Sequence, residues 1–274
     1  MGNMSYELPG AAAPDDLLCR YGASKLMCRG PRRKLDQPYV AFLGGSETFG
    51  KFVEHPFVAL VEEALGKPCV NLGSANSGLD AYVQDPDILE ISAEADLTVI
   101  QVMGAQNLSN RYYRVHPRRN DRFLAASPLL KTIYRTVDFT EIHFNKHLLG
   151  TLNSVSPERF QIVLEELRQA WLGRMRLLLG ALTRKPVLLW LRYDEEPETL
   201  LGPEPLLVNR TMLQDLQDEI EEVIEVNVKR SVEMDELEQM KFGPMQAPAA
   251  SHMIGPDMHR VIGEQVAEVI TGIV

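Results

Sequence analysis

Cysteine, long apolar runs and excess positive charge are all scarce in this sequence of 274 residues. The three cysteines include no Cys-x-x-Cys spacing, which excludes a disulfide framework and gives no sign of a zinc site. No apolar run reaches the roughly 18 residues of a membrane span. The net charge of -10 argues against a general nucleic-acid binder, which needs a basic surface.

The beginning of the chain lacks the features of a targeting segment. Its first residues, MGNMSYELPGAAAPDD, contain no basic stretch followed by an apolar one, so we expect no secretory signal. With neither a signal nor a membrane partner indicated, we expect a soluble, cytoplasmic protein. Hydrophobic residues at 45% and charged residues at 24% are ordinary globular values, and the chain is long enough to bury a sizeable core.

Composition divides the chain into an arm and one larger domain. Residues 1–37 are rich in Pro, Gly and Ala and then become basic, which predicts an N-terminal arm or cap. Residues 38–274 are predicted to form a single α/β domain. An insertion at 105–156, rich in Arg, His, Asn and aromatic residues, interrupts this domain, and the sequence does not define its helical content.

Short apolar runs alternate with segments of helical periodicity throughout this domain. The predicted strands lie at 39–43, 69–72, 97–103, 187–193 and 223–228. The predicted helices lie at 56–65, 157–183, 211–220 and 256–273. The alternation predicts a five-stranded parallel sheet in a three-layer α/β sandwich. Right-handed crossovers favour the flavodoxin-like strand order 2-1-3-4-5.

Polar and glycine residues occur where four of these segments meet the predicted sheet edge. The stretch YVAFLGGSETFG places Ser46 after a Gly-Gly pair at the end of the first strand. Gly73 follows the second strand, Asn107 follows the third, and His252 precedes the last helix. Because the carboxyl ends of parallel strands share one edge, we expect these residues to lie together. A serine nucleophile needs a base within reach and donors for the developing oxyanion.

These blocks, in this order, resemble those of the SGNH (GDSL-type) hydrolases. The first block is similar to Gly44–Thr48, the second-block glycine matches Gly73, and the GxxN-type block is similar to Gly104–Asn107. The family's histidine matches His252. The whole chain, including VHPRRNDRF and HFNKHLLGTL, also resembles a bacterial family of unknown function built on that core.

The resemblance implies an esterase or acyl (acetyl) transferase that acts on a small or carbohydrate ester. It implies Ser46 as the nucleophile, His252 as the base, and Gly73 with Asn107 as the oxyanion hole. It implies no metal and no organic cofactor. His143 and His147 have a metal-ligand spacing but no third ligand in the sequence, so we interpret them as a pair on a buried helix.

Two positions depart from the family pattern. Gly45 stands where the family has an aspartate, and Ala249 stands where it has the acid that orients the histidine. Asp257, Asp194 or a backbone carbonyl are candidate replacements for that acid. The departure at Ala249 keeps open a second hypothesis, a catalytically inactive protein that binds a ligand in the same cleft.

Other interpretations of the same residues also stay open. Ser46, Asn71 and Asn76 suit turns, Asn107 suits a cap, and His252 suits an ordinary helix start. A third hypothesis takes GGSETFG as the phosphate-binding loop of a nucleotide-binding protein. That loop lacks the GxGxxG pattern and the Walker lysine.

The insertion carries the arginine-rich stretch NRYYRVHPRRNDR. Since Arg suits bidentate capture of an anion, we expect Asn110, Arg111 and Arg114, together with Asn76, to bind the substrate, which would then be anionic. The alternative is a salt-bridged surface or an oligomer contact. The sequence leaves open whether the chain forms a homo-oligomer.

Overall fold

The computed structural model describes residues 18–193 and 201–274. The strands in these ranges are β1 Leu18–Cys19, β2 Cys28–Arg29, β3 Val40–Leu43, β4 Cys69–Asn71, β5 Leu97–Gln101, β6 Tyr113–Val115, β7 Phe123–Ala126, β8 Val187–Tyr193 and β9 Glu222–Val228. The 3-10 turns are Phe139–Glu141, Leu237–Gln239 and Pro244–Gln246.

The helices surround the sheet and connect its strands. They are α1 Ser46–Phe49, α2 Phe57–Leu65, α3 Leu79–Val83, α4 Pro86–Glu94, α5 Pro128–Ile133, α6 Asn145–Val155, α7 Pro157–Gly180, α8 Arg210–Gln214, α9 Ala247–Ala250 and α10 Pro256–Thr271. No helix in the described ranges is both long enough and apolar enough to cross a membrane.

The central sheet has five parallel strands in the order β4-β3-β5-β8-β9. This is the predicted order 2-1-3-4-5, and the predicted α/β fold class is confirmed. In β3, Val40 and Phe42 pack with residues of α2 and α10, whereas Ala41 and Leu43 pack with residues of α7. Burial on both faces explains why the strand is continuously apolar, as parallel strands usually are.

Helix α7 contacts the chain just beyond the end of β5, the middle strand of the sheet. Ser156 caps it by accepting the Arg159 N–H at 3.3 Å, and Pro157 occupies the first helical position, as the sequence predicts. The buried Trp171 donates its indole N–H to the carbonyl of Met103 at 2.7 Å. The helix therefore fixes the chain just beyond β5.

The predicted helix at 211–220 is shorter in the structure, because α8 ends at Gln214. The following residues form turns that hydrogen-bond back three residues, as from Leu216 to Leu213 and from Glu219 to Leu216. Carboxylates such as Asp215 and Asp218 disfavour a helix C-terminus, where the macrodipole is negative. The insertion, in turn, contains the hairpin of β6 and β7 followed by α5 and α6.

The described part of the N-terminal segment packs against the domain. Tyr21, Leu26 and Cys28 belong to the larger core cluster. The buried guanidinium of Arg29 donates hydrogen bonds to four backbone carbonyls at the end of α1 and in the loop that follows it, those of Phe49, Gly50, Val53 and Glu54. This segment therefore helps to hold the loop that follows α1.

One buried histidine gives the fold a pH dependence. Burial lowers the pKa of His259 on α10 to about 3, and its Nδ1 accepts the N–H of Phe57 at 3.0 Å. In the unfolded chain the pKa is about 6.5, so the unfolded state binds this proton first. The stability contribution is complete above about pH 6.5 and falls as pH decreases, by about 1.4 kcal/mol per unit.

We therefore expect His259→Asn to flatten the pH dependence of the unfolding free energy between about pH 4 and 6.5. Asparagine keeps an acceptor for Phe57 and does not titrate. Urea unfolding at several pH values measures the slope, with the exposed His143→Asn as the matched control. An unchanged slope in His259→Asn would contradict the assignment.

Candidate active site

The turn after β3 is built around the side chain of one glutamine. Gln101, the last residue of β5, accepts with its Oε1 the N–H of Gly45 at 2.9 Å and the N–H and hydroxyl of Thr48 at 3.3 and 2.7 Å. A Cβ at Gly44 would lie 2.5 Å from the same Oε1, so only glycine fits there. The chain consequently turns sharply and begins α1 at Ser46.

Ser46 lies at the floor of a pocket, and its hydroxyl has a backbone donor. Its Oγ accepts the N–H of Asn76 at 3.1 Å. Asn76 has φ of 61°, in the left-handed region that asparagine tolerates better than most residues. Asn76 therefore forms a turn, which agrees with the turn interpretation of this residue. The conformation of that turn directs the Asn76 N–H at the Ser46 hydroxyl.

The N–H of Gly73, which the resemblance implied as an oxyanion donor, is already engaged by another residue. It donates to Oδ1 of Asn71 at 2.9 Å, and Asn71 in turn donates to the carbonyl of Thr48 at 2.8 Å. A Cβ at Gly73 would meet the backbone N of Phe49 at 2.5 Å. The glycine is therefore required by close packing behind α1, and the donor at the serine is Asn76.

The structure brings residues from four segments to this pocket, a cavity of about 260 Å³. Ser46, Asn76, Asn107 and His252 all line it. They come from the turn after β3, the loop after β4, the loop after β5 and the turn before α10. The convergence of strand ends on one edge of the sheet thus puts these four predicted site residues together.

His252 lies in the turn between α9 and α10, and a backbone carbonyl holds its ring. Its Nδ1 is 2.8 Å from the carbonyl oxygen of Pro248 and 3.1 Å from Oγ of Ser251. A carbonyl only accepts, so Nδ1 carries the proton and Nε2 is the basic nitrogen. Among the described residues, no hydrogen bond joins the side chains of Ser46 and His252.

The candidate replacements for the missing acid can now be compared. In the family pattern, an acid at the position of Ala249 would contact the His252 ring. Here the carbonyl of Pro248 contacts Nδ1 of that ring instead. Asp257 instead pairs with Arg260 at 2.6 Å. Asp194 lies outside the described residues. The carbonyl sets the tautomer of the ring, but it brings no negative charge to stabilise an imidazolium.

Two adjacent amides follow β5, and they are engaged differently. Oδ1 of Asn107 accepts the side-chain N–H of Asn145 at 3.0 Å, which ties the loop to α6. Gln106 is only 5% exposed and lines the pocket, and its side-chain oxygen Oε1 has no hydrogen-bond partner among the described residues. A buried amide oxygen without a partner is unfavourable unless a ligand donates to it. The sequence analysis missed Gln106, although the neighbouring amides in GAQN were visible.

Glu47 adds a carboxyl group to the pocket that Ser46 lines. Its Oε2 accepts the amide N–H of Gln101 at 2.9 Å, and a Cβ at Gly45 would lie 3.3 Å from that oxygen. An aspartate at position 45 would therefore crowd a second carboxyl against Glu47, which explains the departure there. Burial raises the pKa of the Glu47 carboxyl.

The predicted substrate-binding residues of the insertion do not reach the pocket. Asn110 accepts the backbone N–H groups of Tyr112 and Tyr113 and thereby forms a turn. Arg111 pairs with Glu166, and Arg114 lies exposed on β6. The expectation that these three residues bind the substrate at the pocket was therefore wrong. The turn holds Asn110 and the ion pair holds Arg111 away from the pocket, and Arg114 faces solvent.

From the insertion beyond Asn107, Asp121 and Lys146 line the pocket instead. His143 and His147 are exposed, so the expected buried helix pair was wrong. Across residues 18–193 and 201–274, no group of three or more His, Cys, Asp or Glu side chains is placed to hold a metal ion.

Comparison with known proteins gives one full-length match. The profile of the family described as domain of unknown function DUF6473 matches residues 4–274. No curated protein matches the chain.

Several solved structures show a low-level similarity to this chain. A lipase, Lip_vut3, from a goat rumen metagenome is 13% identical, with a TM-score of 0.42, over 85% of this chain and 97% of its own. A protein described as lipolytic, of the G-D-S-L family, from Desulfitobacterium hafniense DCB-2 is 12% identical, with a TM-score of 0.41, over 85% and 99%. The salicylyl-acyltransferase SsfX3 from a tetracycline biosynthetic pathway is 11% identical, with a TM-score of 0.39, over 87% and 57%. Likeness at this level assigns neither residues nor substrate to this chain.

The role of Gln101 in building the site can be tested by stability. Gln101→Leu keeps the size of the side chain but leaves the N–H groups of Gly45 and Thr48 without their buried acceptor. We expect it to lower the unfolding free energy by about 2 kcal/mol or more. Gln265→Leu, on the exposed face of α10, is the control and should change it by less than about 0.5 kcal/mol in urea unfolding. Equal effects would show that the Gln101 contacts are unimportant.

Proposed function

The chain belongs to the family of domains of unknown function DUF6473, and we propose that this member is a serine-dependent esterase or acyltransferase. The observation that carries the proposal is the convergence of Ser46, Asn76, Gln106 and His252 in one pocket. The order of the SGNH-like blocks in the sequence supports the same reaction. The substrate we propose is a small or carbohydrate ester, because the cavity is only about 260 Å³.

In the proposed reaction, Ser46 Oγ attacks the ester carbonyl and gives its proton to Nε2 of His252. The Nδ1–H of His252 stays on the carbonyl of Pro248, which keeps Nε2 basic. The protonated His252 then gives its proton to the departing alcohol, leaving an acyl group on Ser46. Water, or a second alcohol in a transferase, attacks this acyl-enzyme and restores the serine.

Three donors are available for the oxyanion. The N–H of Ser46 begins α1 and has no hydrogen-bond partner among the described residues, and the N–H of Asn76 already points at the serine oxygen. For the third donor we propose the side-chain N–H of Gln106, because this residue lines the pocket and its amide oxygen has no partner that would hold the group in place. Asn107, the predicted donor, stays a candidate whose amide oxygen is already tied to Asn145. Such donors act most strongly on charge that develops in the transition state.

The neutral partner of His252 predicts a slow enzyme. In a serine triad, replacing the acid costs about 10⁴ in kcat, mainly because the tautomer is wrong. Here Pro248 keeps the tautomer correct, so only the electrostatic part of that cost applies. The main rival is an inactive protein that binds its ligand in the same pocket, and covalent labelling distinguishes the two.

Covalent labelling tests the nucleophile and the base. A fluorophosphonate should label Ser46 of the folded protein, and Ser46→Ala should abolish the adduct. His252→Ala should slow labelling by about 10² or more, since general-base catalysis typically contributes that much. His143→Ala, an exposed histidine outside the pocket, should label at the rate of the unchanged protein. Intact and peptide mass spectrometry locate the adduct. A folded protein that is not labelled would favour the binding protein.

Kinetics with 4-nitrophenyl acetate separate the two amides. Gln106→Ala should lower kcat by about 10² to 10³ with little change in KM, because the oxyanion contact forms only in the transition state. Asn107→Ala should have the smaller effect on kcat and should lower stability, because the Asn145 amide loses one of its two acceptors and keeps only the carbonyl of Asn120. The reverse order of the two kcat losses would assign the oxyanion role to Asn107.

A further inference from the structure

The charged groups around the pocket are unequally paired. Lys146 pairs with Glu204, and Asp121 accepts from Arg119 at 3.1 Å. Arg230 lies 3.6 Å from a carboxylate oxygen of Glu233 and 5.0 Å from the ring centroid of Tyr193. Both cations that line the pocket are thus already engaged.

Glu47 differs from these groups because it has no cationic partner. Within residues 18–193 and 201–274, no Lys, Arg or His lies within ion-pair distance of its carboxylate. Its donors are the neutral amide of Gln101 and its own backbone N–H. Lys146 acts on this carboxylate only at longer range, so a half-buried carboxylate that lines the pocket has no direct ion-pair partner among the described residues.

A second polar group faces the same part of the pocket. Tyr193, at the end of β8, is only 8% exposed and lines the cavity, yet its hydroxyl has no hydrogen-bond partner among the described residues. Burial raises the pKa of Tyr193, and the nearby Glu47 carboxylate adds to that effect. The hydroxyl is thus neutral and can accept a hydrogen bond from a ligand that also reaches Glu47.

We propose that the substrate carries a positively charged group with N–H donors, which binds between Glu47 and Tyr193 while its ester lies at Ser46. This inference rests on the proposed function and names the substrate class of the same site. It reverses the expectation of an anionic substrate, because the arginines on which that expectation depended lie elsewhere. Glu47 and Ser46 line the same small pocket, so we place the charged group close to the scissile ester in the substrate.

Three fluorophosphonates of equal chain length test the proposal directly. One ends in a guanidinium, one in an isobutyl group of similar size, and one in a primary alcohol. The second-order rate constant for labelling Ser46, measured by intact mass spectrometry, is compared among them. We expect the guanidinium probe to react about tenfold faster or more than either neutral probe, as a charge-assisted hydrogen bond would give.

The variants identify the residue responsible. In Glu47→Gln the guanidinium-to-isobutyl rate ratio should fall to near one, whereas in the exposed Glu165→Gln it should stay that of the unchanged protein. If Glu47→Gln does not fold, Tyr193→Phe tests the same contact. In that variant the guanidinium-to-isobutyl rate ratio should fall severalfold.

Four outcomes would overturn the proposal. Equal rates for the three probes, or an alcohol probe as fast as the guanidinium probe, would exclude a cationic substrate while leaving the serine chemistry intact. A ratio that survives Glu47→Gln would remove Glu47 from recognition. Absence of labelling by every probe in the folded protein would instead contradict the proposed function, and the inference with it.

Discussion

The geometry of the site depends on the hydrogen bonds that the Gln101 side chain makes to the turn after β3. Its carbonyl oxygen holds two backbone N–H groups and one hydroxyl of that turn, and its amide nitrogen holds the carboxylate of Glu47. Because β3 and β5 are neighbouring strands in fixed parallel register, one side chain connects two strand ends. Ser46, the proposed nucleophile, is therefore positioned by the sheet itself, and a loop alone does not have to hold it.

The remaining parts of the site follow from the same sheet edge. The loop after β4 contributes the Asn76 N–H, the loop after β5 contributes Gln106, and the turn before α10 contributes His252. Each is held by a local contact, such as the Pro248 carbonyl for His252. The pocket thus gathers two backbone N–H groups and one side-chain amide around Ser46, and the weakest element of the proposed site is His252, whose ring is oriented by a carbonyl that carries no negative charge.

Much of the fold follows from the sequence, because burial leaves a direct pattern. All five central strands are visible in the sequence as apolar runs. The start of α7 is visible as the Ser-Pro pair at 156–157. Ser46, Asn107 and His252 are also predictable in position, since parallel strand ends must share an edge. Even Gln101 gives a signal, as a lone amide in an apolar strand, although its partners become known only with the register between β3 and β5.

The details that the sequence does not define depend on conformation and on distant partners. Whether Gly73 or Asn76 donates to the serine depends on the φ of Asn76, and composition alone would favour the glycine. The difference between Gln106 and Asn107 depends on Asn145, far along the chain. Arg111 forms an ion pair with Glu166 of α7, so it is not available to bind a substrate. The sequence does not show that α7 lies beside Arg111.

The central claim is that Ser46 becomes acylated during turnover, and trapping the acyl-enzyme tests it most directly. The folded protein is mixed with 4-nitrophenyl acetate, quenched with acid within the first turnover, and digested for peptide mass spectrometry. The account predicts a burst of one nitrophenolate per protein and an acetyl group on the peptide containing Ser46. Ester cleavage with no burst and no acetyl group on Ser46, or acetylation that persists in Ser46→Ala, would contradict it.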